Sequence, residues 1–344
     1  MAKCPSINRE VRLARHPTGE LCAGHLAVLE CAMPTPGPHD VMVRNRWFRV
    51  SVSTRLMAQE GSEAIEGIPF PPLQLGDTLA DAAIGEVIYA GSACDRAPGS
   101  LVMHPFGWRE YAVVNGDECT VLDAKYAEPA AFLGHGWTAY AALTEGTQIH
   151  DGDTVFVSSG AGAIGSMAGQ IARRLGAGRV IGSTSTPDKA HWMLTELGYD
   201  AAITRDGGPI QEQLEKAAPS GIDVIVDMVG GEQLAASVAL ARQGARCVLL
   251  GALTAELDSK KARLEARVEL DSFQVILKGM TLRGFSACEH APEKFAEWIR
   301  RLESWRGEGA IRLPSTIIKG IESAPFALQE ACAGRLKGLV LVEL

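Results

Sequence analysis

The chain has 344 residues, of which 47% are hydrophobic and 22% charged, and its formal net charge is −8. This length allows about two domains with a core each, and the composition is that of an ordinary globular protein. The acidic balance, without a basic stripe, argues against nucleic acid or an anionic membrane surface as a partner.

The N-terminus and the cysteines both point to a cytoplasmic protein. The first ten residues are polar, unlike a signal peptide, and no apolar run approaches the ~18–20 residues that span a bilayer. The eight cysteines form no Cys-x-x-Cys pair, and their spacing fits neither a zinc lobe nor a disulfide framework. We expect free thiols without a role.

Residues 1–126 are rich in proline and glycine and contain short strand-like runs. Examples are residues 41–46, 84–89 and 108–114, with turn-forming segments between them. This pattern predicts a compact, barrel-like β unit.

From about residue 127, strand-like runs alternate with helix-length amphipathic segments. The predicted strands are 154–158, 179–183, 201–204, 223–227, 245–250 and 280–285. Such alternation is typical of a doubly wound parallel sheet. After a helix-like stretch at 292–305, strand-like runs return at 315–318 and 338–342, which allows a terminal strand to pair with the first domain.

A glycine-rich turn follows the first of these strands and opens a periodic helix. It reads Gly160-Ala161-Gly162-Ala163-Ile164-Gly165. In this strand–turn–helix context the motif predicts a dinucleotide site. Gly160 permits the tight turn, Gly162 the approach of a pyrophosphate, and Gly165 close packing of the helix, whose N-terminus attracts the phosphates.

The end of the second strand indicates which dinucleotide is bound. Ser183 and Ser185 stand where an NAD-binding protein places a carboxylate, which would repel a 2′-phosphate. Pro187 suits the first turn of a helix, so Lys189 is expected near that helix N-terminus. Arg205, after the third strand, becomes its neighbour if the strand order is 3-2-1. These residues favour NADPH over NADH.

With these residues the chain resembles the medium-chain dehydrogenase/reductase superfamily, and within it the zinc-independent prostaglandin/leukotriene reductase-like family of alkenal double-bond reductases. Similar motifs occur in the family's order at 75–78, 85–87, 107–112, 136–140, 165–172, 227–232 and 251–252. The resemblance implies an α/β protein with two domains. These are a GroES-like substrate domain of residues 1–126 and 304–344 and a Rossmann NADPH-binding domain of residues 127–303.

The resemblance also implies a reaction. NADPH would deliver hydride to the β-carbon of an α,β-unsaturated carbonyl, which requires alignment, hydrogen-bond donors for the developing oxyanion, and exclusion of water. No metal is implied, because the zinc-dependent relatives have Cys and Gly-His-Glu where this chain reads 51-SVS-53 and 75-LGD-77.

Four departures from the family fall near the expected pocket. The usual Asp-Pro-Tyr is replaced by 51-SVS-53, although Arg55 persists. Met228 replaces an Asn, Glu256 replaces a Tyr, and the Asn of the C-terminal Gly-x-Asn-x-Gly-Lys is lost. Arg335 and Lys337 either compensate at the cofactor phosphate or lie on a solvated surface. The four departures are either drift in a distant member or, together, a remodelled pocket suited to a specialised metabolite.

The candidate site residues follow from these motifs. His135 is expected to donate a hydrogen bond to the carbonyl or enolate oxygen, and Glu256 to act as an acid or base. His135 could instead be a hydrogen-bonded histidine of the domain junction, and Glu256 a carboxylate of a surface loop. The aromatic candidates could instead be core residues. The catalytic candidates are His135, Glu256 and Tyr140, and the substrate-binding candidates are Trp47, Ser53, Arg55 and Trp108. The cofactor-binding candidates are Gly160, Ala161, Gly162, Ala163, Ile164, Gly165, Ser183, Ser185, Lys189, Arg205, Met228, Gly251 and Arg335.

Two other functions remain open. A quinone reductase of the same superfamily needs little acid catalysis, so it tolerates the lost Tyr. A non-catalytic NADPH-binding redox sensor fits the loss of both the Tyr and the Asn. In each case we expect a homodimer that pairs through the edge strand at 280–285.

Overall fold

The computed structural model describes residues 6–62, 71–122, 128–258, 260, 265–286 and 292–344, with residues 292 and 293 described by their backbone alone. No helix in these ranges is long and apolar enough to cross a bilayer. Six cysteines lie within them and all are free thiols, as predicted, whereas Cys4 and Cys288 lie outside. The predicted boundary at 126/127 also lies outside, and both domain boundaries stay predictions.

The described strands alternate with helices only in the second half of the chain. The strands are β1 (Ile7–Leu13), β2 (Leu26–Ala32), β3 (Asp40–Arg49), β4 (Ala83–Ala90), β5 (Leu101–His104), β6 (Tyr111–Asn115), β7 (Thr120–Val121), β8 (Thr154–Val157), β9 (Arg179–Thr184), β10 (Ala201–Thr204), β11 (Ile222–Asp227), β12 (Ala241–Leu249), β13 (Thr281–Gly284), β14 (Ser315–Lys319) and β15 (Leu339–Glu343).

Most of the α-helices flank the second sheet. They are α1 (Thr54–Met57), α2 (Pro129–Leu133), α3 (Gly136–Ala141), α4 (Gly165–Arg174), α5 (Pro187–Glu196), α6 (Ile210–Ala217), α7 (Gly231–Ala239), α8 (Leu253–Glu256), α9 (Ser272–Leu277), α10 (Pro292–Gly307) and α11 (Ala324–Cys332).

The first sheet combines the N-terminal half with the C-terminus. Its order is β14-β15-β3-β4-β5-β7, and β6 also pairs with β3. β15 runs antiparallel to β3, with Leu341 opposite Arg49 and Val342 opposite Phe48. The predicted return of the terminal strand to the first domain is therefore confirmed.

The second sheet is entirely parallel, in the order β10-β9-β8-β11-β12-β13. This is the 3-2-1-4-5-6 order of a doubly wound nucleotide-binding sheet, in which ligands bind where the strand order reverses. That point lies here between β8 and β11. Met167, Ala168 and Ile171 of α4 are buried as the apolar periodicity predicted, and Gly176, with a φ of 112°, follows the helix end.

One predicted strand begins later than expected. The run at 108–114 becomes strand only from Tyr111, because Trp108 adopts a left-handed φ of 61°. The Trp108 ring turns into the core of the first domain, fully buried, with its centroid 5.0 Å from that of Phe48. Its predicted place in the wall of the substrate pocket is therefore wrong.

Candidate active site

The glycine turn between β8 and α4 is fixed by the neighbouring strand β9. Gly160 N donates to the carbonyl oxygen of Ser183 at 2.7 Å, and Ser159 N donates to Ser183 Oγ at 3.0 Å. Ser159 has a φ of 54°, a conformation that non-glycine residues rarely adopt. Ala161 O accepts from Gly338 N at 2.9 Å, which ties the turn to the C-terminal segment.

The N-terminus of α4 presents backbone donors to this turn. The N–H groups of Ala163, Ile164 and Gly165 have no acceptor in the described ranges. A Cβ at Gly162 would lie 2.9 Å from Ser159 Oγ, so the turn is open there only because the residue is glycine. Free N–H groups at a helix N-terminus, with the positive end of the helix dipole, bind phosphates. The residues present therefore fit a pyrophosphate.

Ser183 corrects one of the cofactor predictions. It is 1% exposed, and its Oγ accepts from Ser159 N and donates to Gln233 Oε1. Because this hydroxyl points into the packing between β9 and the turn, it is not available to a ligand. Ser183 is instead a positioning residue for the glycine turn.

Lys189 lies near the N-terminus of α5, as the sequence predicted. Thr186 is the N-cap and accepts from Lys189 N at 3.3 Å, and Pro187 is the first helical residue. Lys189 Nζ donates to Gly334 O at 2.7 Å, and Ser185 Oγ donates to the same oxygen at 3.0 Å. The two side chains thus join this strand end to the C-terminal loop.

Three cations gather at this corner, and we call Lys189, Arg205 and Lys337 the cation cluster. Burial lowers the pKa of Lys189 to about 8, and the charges of Lys337 and Arg205 add to this. Lys337 pairs with Asp188 at 2.7 Å, whereas Arg205 is exposed and has no side-chain partner among the described residues. Crowded positive charge with one unpaired guanidinium suits a phosphate.

Arg335 does not belong to this cluster, contrary to the prediction. Its exposed guanidinium forms a two-bond ion pair with Glu330. Lys337, two residues further on, reaches the corner instead and lies over the ring of Trp192 at 5.7 Å. In the segment where the family has its Asn, the cation that reaches this corner is therefore Lys337 and not Arg335.

The lowered pKa of Lys189 gives a testable pH dependence. Lys189 carries its charge below about pH 8 and loses it above, while a phosphate monoester remains a dianion above about pH 6. The dissociation constant of NADPH is therefore expected to rise above pH 8, approaching about tenfold per pH unit. Fluorescence titration with NADPH across this range measures it. Lys189→Arg should flatten the profile, and an unchanged slope in that variant would contradict the assignment.

Two residues that depart from the family meet at the junction of the two domains. Ser53, before α1, donates from Oγ to Glu256 Oε2 of α8 at 3.5 Å. Glu256 Oε1 accepts from Ala252 N at 3.3 Å, and it lies 3.8 Å from the position of a Cβ at Gly251. The same Cβ position is 3.3 Å from Met228 O. The structure therefore brings Ser53 and Glu256 together beside the predicted cofactor residues Met228 and Gly251.

Arg55 lies under this junction rather than open to solvent. It is 1% exposed, Nη2 donates to Gly19 O at 2.7 Å, and Nη1 is buried without a partner in the described residues. Burial lowers the pKa of Arg55 and raises that of the Cys332 thiol to about 12, so Cys332 stays neutral. A buried guanidinium contributes positive potential to the junction.

His135 lies apart from the contact between Ser53 and Glu256. It precedes α3 and lines a small, mostly apolar space with Ala163, Met167 and Leu339, but not with Ser53 or Glu256. Burial lowers its pKa to about 3, and the charge of Arg49 adds to this. A neutral imidazole can donate one hydrogen bond but cannot act as a cationic acid near pH 7. The histidine thus borders the glycine turn without joining the Ser53–Glu256 pair.

The remaining aromatic candidates pack into hydrophobic cores. Tyr140 is 8% exposed and stacks on Trp298 of α10 with ring centroids 5.2 Å apart. The ring belongs to the packing of α3 against α10, so this position gives no support to the catalytic role, which stays a prediction. Trp47 is half-buried and, like Ala163, packs against the hydrophobic cluster that includes Leu133 and Leu341.

Sequence reasoning missed one buried carboxylate at the end of β11. Asp227 is 1% exposed and accepts from Ser158 Oγ and Gly230 N, each at 2.8 Å. Ser158 Oγ in turn accepts from Met228 N at 2.8 Å. The signal was present, since Ser158 and Asp227 follow or end the two strands at the switch point. Asp227 thereby fixes the turn that carries Met228.

Two family models match the chain. One is described as the N-terminal domain of oxidoreductase and covers residues 9–122, and the other as zinc-binding dehydrogenase and covers residues 163–304. NADPH-dependent curcumin reductase of Escherichia coli is 27% identical over 342 residues, 98% of this chain and 97% of that protein. Bovine prostaglandin reductase 1 is 28% identical over 339 residues, which are 96% of this chain and 97% of that protein. The chain belongs to the medium-chain dehydrogenase/reductase family.

Solved structures agree with this membership. CurA from Vibrio vulnificus matches with a TM-score of 0.88 at 26% identity, over 98% of both chains, and its complex with NADPH with a TM-score of 0.86 at 25% identity, over 97% of this chain and 98% of that one. The predicted GroES-like and Rossmann architecture is confirmed. No group of three or more His, Cys, Asp or Glu within the described ranges of this medium-chain dehydrogenase/reductase could hold a metal ion.

Proposed function

We propose that this oxidoreductase uses NADPH to reduce the carbon–carbon double bond of an α,β-unsaturated carbonyl, without a metal. The observation that carries the proposal is the meeting of Ser53 and Glu256 beside Met228 and Gly251. It supports the proposal because a hydroxyl of the first domain lies next to Met228 and Gly251, which we assign to the cofactor site. A cytoplasmic location stays a prediction.

The cofactor supplies a hydride when it is bound. The turn at Gly160–Gly165 holds its pyrophosphate through free N–H groups, and the cation cluster holds its 2′-phosphate. Ser53 Oγ can turn its one hydrogen from Glu256 to the carbonyl oxygen, where negative charge grows as the β-carbon accepts hydride. Arg55 adds positive potential from below, and the buried Met228 helps to exclude water.

A substrate panel tests the proposal. NADPH oxidation is measured with enones, enals and quinones, with NADH in parallel, and the products are identified. We expect saturated carbonyl products from enones or enals and a strong preference for NADPH. Turnover of quinones alone would support the quinone reductase alternative, and NADPH binding without turnover of any compound would support the redox sensor.

We also expect a homodimer through the outer edge of the second sheet. β13 is a terminal strand of that sheet and is largely exposed. The adjoining α9 exposes Phe273 by 64%, Ile276 by 72% and Leu277 by 53%, unusual values for large apolar side chains. A second copy that continues the sheet would cover both the strand edge and this face.

The dimer is tested by placing charge on α9. Ile276→Asp is expected to shift the protein from dimer to monomer in sedimentation experiments, because a carboxylate would be buried in the interface. Leu194→Asp, at a 43% exposed position on α5, is the matched control and should leave the dimer intact. An Ile276→Asp protein that sediments as a dimer would contradict the assignment.

A further inference from the structure

Among the described residues, one carboxylate at the domain junction forms no ion pair. Glu256 is half-buried at the end of α8, and its two oxygens accept only long hydrogen bonds, from Ala252 N at 3.3 Å and Ser53 Oγ at 3.5 Å. No lysine or arginine in the described ranges forms an ion pair with it. A carboxylate accepts about four hydrogen bonds, so Glu256 can accept more than these two protein groups supply.

The nearby arginine does not neutralise this carboxylate. Arg55 Nη2 donates to Gly19 O, and the carboxylate whose charge acts on Arg55 is Asp258 rather than Glu256. A negative group 3.5 Å from Ser53 Oγ would disfavour the oxyanion that Ser53 is proposed to stabilise. A positive group at Glu256 would offset this charge, and the described chain does not supply one.

We propose that the substrate supplies it: the pocket selects an α,β-unsaturated carbonyl that also carries a protonated amine, and the ammonium group pairs with Glu256. This inference rests on the proposed function, since it places the carbonyl at Ser53. Because Ser53 and Glu256 are hydrogen-bonded to each other, the amine must lie near the carbonyl group in the substrate. The net charge of −8 also favours the approach of a cation.

A matched pair of enones tests this selectivity. One carries a dimethylammonium group near its carbonyl, and the other carries an isopropyl group of the same shape. We expect kcat/KM to be about tenfold higher for the ammonium compound, a ratio typical of one partly desolvated ion pair, and to fall with added salt. Glu256→Gln should bring the ratio to about one. Glu60→Gln, which removes an exposed carboxylate just beyond α1, should leave it unchanged.

A binding measurement separates this inference from the proposed function. The saturated ketones that correspond to the two enones are titrated into the protein with NADP⁺, so that no reduction is needed. Tighter binding of the ammonium ketone that is lost in Glu256→Gln supports the inference, even if neither enone is reduced. Equal affinity for the two ketones, or a preference that survives in Glu256→Gln, overturns it, even if both enones are reduced.

Discussion

Gly165→Ala is expected to raise the dissociation constant of NADPH by at least about 100-fold, because the added Cβ meets backbone rather than side chain. That Cβ would lie 2.7 Å from Gly160 Cα, 2.8 Å from the Ser159 carbonyl carbon and closer still to Ser159 O. None of these atoms can rotate away, so the turn must open and its N–H groups lose their alignment. Fluorescence titration with NADPH measures the loss.

Two further variants separate a lost site from a lost fold. Gly162→Ala adds a Cβ whose near neighbours are the rotatable Ser159 Oγ, at 2.9 Å, and Ser159 O, at 3.2 Å. We therefore expect a protein that folds with a small shift of the turn and binds NADPH poorly. Gly307→Ala, at the end of α10 where nothing lies within 4 Å of the Cβ, is the control and should bind normally. Normal NADPH affinity in Gly162→Ala, with a native circular dichroism spectrum, would contradict the pyrophosphate assignment.

Removal of Lys189 and Arg205 from the cation cluster is expected to remove most of the preference for NADPH. Arg205→Ala should lower kcat/KM for NADPH about tenfold, since an exposed guanidinium contributes one charge-assisted contact. Lys189→Ala should lower it by a similar factor, because its ammonium group lies at the same corner as Arg205 and contributes the second contact. The double variant should lose about 100-fold with NADPH and little with NADH, which has no 2′-phosphate.

The comparison of the two cofactors makes this prediction specific. Lys216→Ala removes an exposed cation on α6 and should change neither cofactor's kinetics. If the Lys189→Ala/Arg205→Ala double variant lost activity equally with NADH and NADPH, the cluster would be structural and the 2′-phosphate would bind elsewhere.

The cofactor half of the site was predictable because its determinants are local. The cap at Thr186, Pro187 and the position of Lys189 follow from a few neighbouring residues, and the 3-2-1 strand order then brings Arg205 close. Ser183 was assigned wrongly because the sequence does not show on which side of β9 its hydroxyl lies. Which side of β9 its hydroxyl takes depends on the register with β8 and on Gln233, fifty residues away.

The substrate half was less predictable because it is assembled from distant segments. The resemblance singled out Ser53 and Glu256, but only the fold shows that residues 203 positions apart meet. Tyr140 and Trp108 were assigned to the pocket from residue type. Their burial depends on packing against Trp298 and Phe48, which no local pattern reveals.

The position of the transferred hydride in the product tests double-bond reduction most directly. The protein is supplied with NADPH deuterated at the transferable position of the nicotinamide and with an enone, and the product is examined by NMR. We predict a saturated ketone with deuterium at the β-carbon. An allylic alcohol with deuterium at the former carbonyl carbon would contradict double-bond reduction.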